Sequence, residues 1–430
     1  MHATRSGVME NKSIARIVVV VALFILVIGL GANTVYRSGP HRFGDRRWGS
    51  KAHRTDFTAY REAGIAVWDG ADIYNTRNVR GWMFMSFPVV AVVMAPFAMV
   101  NVFWGSLIWY VLSVLMAGAS ARLSARLARQ AIPDCEVSEF WLTVFAVVLM
   151  LPVTMSAIVR GQPSLLMMFL LTASVACYLQ KRDWLAGFCL MGAIAIKVFP
   201  ALLIGYFLWK RRFRLLIAMA VWSLVLLLLV PSIVFGVRGN MEFLQKWNRN
   251  IAASAYKTDT EGVHFKYTFS GQVPRNQSVK GAVTRLIAQG DYTPSTITAG
   301  NRISLGINLA LLLITAWACR KGNGMPEQPL TALQLCGVIP LMLFVSPVAW
   351  NHYYSAMAIP VTVGGALALT KSDTQRQRLF QWGVLGWLVL SVFSLTRRLV
   401  YTFDALLLGA LLLWGVFVCF LALSSWTKKR

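Results

Sequence analysis

Long stretches of this chain carry no charge. Residues 17–36, 140–159, 215–237, 379–396 and 405–427 contain no Asp, Glu, Lys or Arg, and the uncharged runs 81–121 and 329–370 are each long enough for two passes. A helix needs about 20 apolar residues to cross a hydrocarbon core, and a soluble amphipathic helix of that length would show a charged face. Composition agrees: hydrophobic residues make up 57% of the chain and charged residues 14%, where a soluble domain carries about 25%. The chain reads as an all-α polytopic membrane protein, one integral membrane domain over 1–430.

The formal charge of +25 would point to nucleic acid in a soluble protein. Here no nucleic-acid partner is expected. Basic residues in inward loops set topology, and those in outward loops suit an anionic lipid headgroup or phosphate substrate. Cys177, Cys189, Cys336 and Cys419 lie inside apolar runs, and no cysteine spacing suggests a disulfide or metal site. The first helix follows Lys12 and Arg16 without a small-residue cleavage site, so it is expected to be retained.

Basic clusters at Lys12/Arg16, Arg122/Arg126/Arg129, Lys181/Arg182, 210–214, Arg320/Lys321, Lys371/Arg376/Arg378 and 428–430 mark the inside. Connecting them predicts about 12 helices, at 15–36, 104–122, 139–159, 163–180, 184–196, 198–209, 214–236, 302–319, 331–349, 353–370, 380–396 and 404–426. Two external loops result, 37–103 and 237–301. The apolar segment 83–100 carries Pro88 and Pro96, which interrupt helices. It is read as juxtamembrane or re-entrant; the other reading makes it a span and fuses 184–209 into one helix.

Four places hold polar chemistry in apolar surroundings. In the first loop, 56–68 has helical spacing, with Phe57, Tyr60, Gly64 and Val67 or Trp68 on one face, behind the basic run Arg46, Arg47, Lys51, His53, Arg54. Asp56 is then either the cap of an interfacial helix or a general base for an acceptor hydroxyl. Residues 69–74 read as an Asp-Gly turn. Lys197 is a lone cation before Pro200, either snorkelling to an interface or partnering a phosphate between two half-helices. In the second loop Asn276, Gln277 and Ser278, with Arg275, Lys280 and Arg285 nearby, either form a solvated loop or suit a sugar and its phosphate. Finally Trp350-Asn351-His352-Tyr353-Tyr354 stands between two apolar runs. An aromatic belt accounts for its Trp and Tyr residues but not for Asn351 and His352. The nucleotide-binding, zinc-protease and serine-hydrolase motifs are absent.

The ordered set of Asp56-Phe57-x-x-Tyr60, Phe87-Pro88, Ala95-Pro96, Gly161-Gln162-Pro163-Ser164, Ala186-Gly187, Ile196-Lys197-Val198-Phe199-Pro200, Lys210-Arg211-Arg212-Phe213-Arg214, Asn276-Gln277-Ser278 and Ser346-Pro347-x-x-Trp350-x-His352 resembles glycosyltransferase family 87 over roughly 15–420. The resemblance implies a GT-C architecture with two external loops carrying juxtamembrane helices. It also implies inverting transfer of a hexose, mannose above all, from a polyprenyl-phosphate-sugar donor to a lipid-linked or glycan acceptor. The active site would face the periplasm or exterior of a bacterial inner membrane, with no cofactor and no metal. Asp56 takes the role of base, and Tyr60, Arg160, Gln162, Lys197, Asn276, Gln277, Ser278, Arg285 and His352 are the expected substrate-binding residues. Where the family often has Tyr-Pro-Pro and Asp-Pro-Tyr, this chain has Phe87-Pro88-Val89 and Asp72-Ile73-Tyr74. The competing readings are a transporter or flippase of an anionic glycolipid and a surface-polysaccharide ligase.

Overall fold

A computed structural model describes residues 3–38, 56–78, 81–255, 271–320, 325–370, 374–396 and 404–423. The basic run 46–54, Lys321, Lys371 and the cluster 428–430 lie outside them. Among the described residues every regular element is a helix, apart from one isolated antiparallel bridge between Arg77 and Met83.

In chain order the helices are α1 (Ala3–Ser38), α2 (Phe57–Trp68), α3 (Pro88–Ala98), α4 (Val102–Ala131), α5 (Glu139–Arg160), α6 (Ser164–Leu179), α7 (Asp183–Ile196), α8 (Leu202–Trp209) and α9 (Phe213–Ser223). Then follow α10 (Val230–Trp247), α11 (Val279–Ala288), α12 (Pro294–Cys319), α13 (Glu327–Val345), α14 (Ala358–Leu369), α15 (Thr374–Phe393) and α16 (Ala405–Leu423). Short side chains set several starts. The side chains of Asn101, Ser138, Ser278 and Thr293 each accept a hydrogen bond from a backbone N–H of the first turn of α4, α5, α11 and α12, satisfying donors that a helix N-terminus leaves free.

Helix α13 is the hub. Every residue from Thr331 to Phe344 is buried, as expected of a helix that is apolar all round and enclosed by others. It packs against α4, α12, α14 and α16. At the periphery the logic inverts. Ile17 of α1 is 60% exposed, Leu229 before α10 56% and Leu305 of α12 68%. Large aliphatic side chains turned outward in such numbers are stable only against lipid, and the chain is a membrane protein. Seven helical stretches among the described residues are both long and apolar enough to cross: α1, α4, α5, the rod 213–252, α12, α13 and α16. The expected path of about 12 passes also counts α6, α7, α8, α14 and α15, which are shorter or less apolar.

Several boundaries differ from the sequence expectation. Helix α4 runs on to Ala131, carrying Arg122 and Arg126 as helical residues, and both pair with Glu139 at 2.9 Å. The helix expected at 214–236 continues to Trp247 through a kink at Gly236, whose φ of 72° and ψ of 159° suit glycine. The segment 83–100 contains α3, which starts on Pro88 and is 11 residues long. That is about 16 Å of helix, too short to span. Residues 184–209 are not one helix: Lys197 breaks α7 from the 3₁₀ turn Phe199–Ala201 that leads into α8.

Helices α2 and α3 form a compact pair. The small residues Ala59, Ala63, Gly64 and Ala66 let α2 bury most of its circumference, not a single face. A Cβ on Gly64 would lie 2.7 Å from the Met94 carbonyl oxygen, so only glycine allows this approach. Arg61 Nη2 donates to the Val100 carbonyl at 2.8 Å and Trp68 Nε1 to that of Ala95 at 2.8 Å.

Candidate active site

Asp56 stands at the N-cap position of α2 but makes no side-chain capping bond. Its carboxylate instead accepts a hydrogen bond from Gln162 Nε2, and its backbone N–H donates to the Arg160 carbonyl. A corner at the end of α5 makes this meeting possible. Gly161 has φ +64°, the left-handed conformation that stops a helix. The corner then seats on Phe57, which is 1% exposed and stacked on Trp109, and Trp109 Nε1 donates to the Gly161 carbonyl at 3.0 Å.

A Cβ at Gly161 would come 2.7 Å from Phe57 Cβ. Gly161→Ala combines that clash with a left-handed φ, a strain of about 1–3 kcal/mol. It is expected to lower the thermal unfolding temperature and, by shifting α2 against the corner, to lower transfer activity. Full activity in a destabilised Gly161→Ala protein would separate the corner from catalysis.

Lys197 comes from the other side. Its extended backbone (φ −143°, ψ 124°) ends α7. Its Nζ lies 3.3 Å from the Tyr353 hydroxyl and 4.4 Å from that ring's centroid. The Tyr353 ring also stacks on Phe199, centroids 5.3 Å apart. Beside it His352 is 4% exposed. Burial, reinforced by the positive charges of Lys197 and Arg160, holds its imidazole well below the usual range, so it is neutral near pH 7. Burial likewise raises the Tyr60 phenol, which stays protonated.

These groups line one cavity of about 460 Å³, to which Asp56, Tyr60, Arg160, Gln162, Lys197 and His352 all contribute. Two cations face one carboxylate there. The rest of the wall is largely apolar, from Met83, Phe87, Trp247, Ile251, Met342 and Trp350. Trp247 stacks on Phe87 at 4.0 Å between centroids, and Lys246 next to it pairs with Asp72 at 2.7 Å, so the far half of α10 is tied to the first loop.

The other four sequence candidates are placed elsewhere. Asn276, Gln277 and Ser278 are fully buried and do not line the cavity. Asn276 Oδ1 accepts from the Ala349 N–H at 2.9 Å, and Asn276 Nδ2 and Ser278 Oγ both donate to the Pro347 carbonyl at 3.1 Å. Gln277 Nε2 donates to Asn351 Oδ1 at 3.1 Å, and its Oε1 accepts from the Leu406 N–H at 2.8 Å. They clasp the segment that carries Trp350 and His352. Arg285 is paired with Asp404 and donates to the Gly271 and Val273 carbonyls at 3.0 and 3.2 Å, joining α11 to the start of α16. Lys280, buried against the Ala255 carbonyl at 2.6 Å, is pushed down to about 8 by desolvation.

Sequence reasoning passed over Tyr353, assigned to an aromatic belt. The available signal was its place beside His352, in a knot the belt did not fully explain. Among the described residues no group of three or more His, Cys, Asp or Glu side chains comes together to hold a metal ion.

The model of glycosyltransferase family 87 matches residues 87–347, more than half of the chain. A curated relative from Mycobacterium tuberculosis, named polyprenol-phosphate-mannose-dependent alpha-(1-2)-phosphatidylinositol mannoside mannosyltransferase, is 26% identical over 359 residues, covering 79% of this chain and 77% of that protein. A protein of the same name from Mycolicibacterium smegmatis is 24% identical over 414 residues, covering 90% and 87%. The crystal structure of ArnT from Cupriavidus metallidurans bound to undecaprenyl phosphate superimposes with a TM-score of 0.37 at 14% identity, over 94% of this chain and 77% of that one. On the extent of the family match, the chain belongs to glycosyltransferase family 87.

Proposed function

We propose that this glycosyltransferase moves a hexose, mannose above all, from a polyprenyl-phosphate donor to a lipid-linked or glycan acceptor. The reaction takes place at the outer face of a bacterial plasma membrane. The observation that carries the reading is the convergence of Asp56, Arg160, Gln162, Lys197 and His352 on one largely apolar-walled cavity. Such a wall suits a polyprenyl chain. Two cations facing one carboxylate suit a sugar phosphate in need of a base.

Chemically, the acceptor hydroxyl attacks the anomeric carbon from the face opposite the phosphate, so configuration inverts. The new C–O bond forms as the anomeric C–O–P link breaks at carbon. The hydroxyl proton passes to the Asp56 carboxylate, and polyprenyl phosphate leaves with the bonding electrons. Gln162 Nε2 holds one carboxylate oxygen, orienting the other for the proton. Lys197, fixed by the Tyr353 hydroxyl and ring, meets the phosphate charge as it grows, in a water-poor site where a fixed cation is most effective. Neutral His352 offers a hydrogen bond without adding a third charge.

The relatives' names favour a mannoside on a phosphatidylinositol anchor as the first acceptor to try. Incubation of the protein, reconstituted in sealed lipid vesicles, with sugar-labelled polyprenyl-phosphate mannose tests the reading. Label on the acceptor, in the inverted configuration, supports it. Recovery of intact donor alone, moved across a vesicle without cleavage, identifies a transporter instead.

A further inference from the structure

The segment 199–210, which contains α8, and helix α13 each connect two cavities. Phe199 and Leu202 at one end, with Met342 and Val345 of α13, line the catalytic cavity. Tyr206 and Lys210 at the other end, with Glu327, Thr331 and Gln334 of α13, line a second cavity of about 150 Å³. On α13 the nearest wall residues of the two cavities, Gln334 and Met342, are about 12 Å of helix apart, so the second cavity is separate from the transfer site.

Its chemistry is cationic. Lys210, Arg212 and Arg320 surround it with one carboxylate, Glu327. That carboxylate sits on the rim, its side chain 70% exposed, and pairs with Arg212. Two of the neutral polar groups, Tyr206 and Gln334, are already engaged. Tyr206 Oη donates to Gln334 Oε1 at 3.1 Å, and Gln334 Nε2 to the Cys319 carbonyl at 2.9 Å. They fix the shape of the cleft without offering to bind. Donors remain on the cations: Lys210 Nζ gives one bond, to Cys319 at 2.8 Å, and Arg212 Nε has no partner. Helix α13 also begins here, with no side-chain cap on its first turn, so its positive end adds to the field.

We propose that this cavity is a binding site for a phosphate ester, supplied by the headgroup of an anionic phospholipid or by a soluble phosphate compound. A water occupies about 30 Å³ of liquid, so the cleft holds one phosphate and its immediate substituent, not a second lipid-linked sugar. Basic pockets between transmembrane helices, level with a membrane face, are places where anionic headgroups lodge. The site is independent of the transfer reaction, and its test reads binding alone.

The full-length protein in detergent is titrated with phosphatidylglycerol, with phosphatidylcholine and with inorganic phosphate, and bound ligand is counted by native mass spectrometry. Phosphatidylglycerol is expected to bind in preference to phosphatidylcholine. Arg320→Gln weakens binding about fivefold, the effect of one cation at a headgroup. Glu327→Gln removes the opposing charge and strengthens binding by a similar factor. Both residues are exposed, and a gain of affinity cannot come from misfolding. If inorganic phosphate binds with the same pattern of variant effects and lipid shows no headgroup preference, the phosphate is a soluble one. The proposal is overturned if neither ligand responds to the substitutions, or if both substitutions move affinity in the same direction.

Discussion

Asp56→Asn is expected to cut the rate of sugar transfer by about 10²–10⁴-fold, the usual contribution of a positioned general base. The substitution is close to isosteric. An Asn carbonyl oxygen can still accept from Gln162 Nε2, which now bonds the carboxylate, and the Asp56 N–H to Arg160 carbonyl bond is untouched. The corner between α2 and α5 therefore stays closed and the protein folds. The lost property is the ability to take a proton from the acceptor. The donor KM should hold while kcat falls. A purified Asp56→Asn protein with the wild-type rate would remove Asp56 from the mechanism; among the described residues no other carboxylate lines the cavity.

Replacing Lys197 by Met should be comparably severe, about 10²–10³-fold in kcat, as for removal of one fixed charge stabiliser from a transition state. Here the donor KM should also rise, because the phosphate is charged before the bond breaks as well as after. Lys197→Arg should recover only part of the rate. The ammonium sits 4.4 Å from the centre of the Tyr353 ring with the hydroxyl at 3.3 Å, a space shaped for a point charge, and a planar guanidinium presents its donors differently. An unchanged kcat in Lys197→Met would place the phosphate elsewhere, with Arg160 the remaining cation among the described residues of the cavity.

The fold was legible because lipid imposes a simple rule: uncharged runs near 20 residues become helices. The broken helix at Lys197 could be read too, since an isolated cation followed by Pro200 marks a place where an apolar helix stops. Less legible was the number of passes, because α7 and α14 are short helices enclosed by neighbours, and α6 fills only 16 residues of its uncharged run 161–180. Of the site, Asp56 behind the basic run, the lone cation Lys197 and His352 of the polar, aromatic knot do come to one cavity. Asn276, Gln277, Ser278 and Arg285 were chosen for what they can donate and accept. Sequence does not say what a hydrogen-bonding group faces, and here the partners are backbone groups of 347–349 and 406, the Asn351 amide and the Asp404 carboxylate. Their part is to hold the loop that delivers His352. Tyr353 was missed for the converse reason: a membrane interface already accounts for a tyrosine at such a position, and only the placement of Lys197 gives it a second role.

The claim on which all of this depends is that sugar and phosphate part company between Asp56 and Lys197. A cryo-electron microscopy map of the protein with a non-hydrolysable polyprenyl-phosphate sugar bound tests it most directly. The predicted map places the phosphate within hydrogen-bond reach of Lys197 Nζ, the polyprenyl chain along Phe87 and Trp247, and the anomeric carbon on the side of the cavity that Asp56 faces. A phosphate bound away from Lys197, with the sugar out of reach of Asp56, contradicts it.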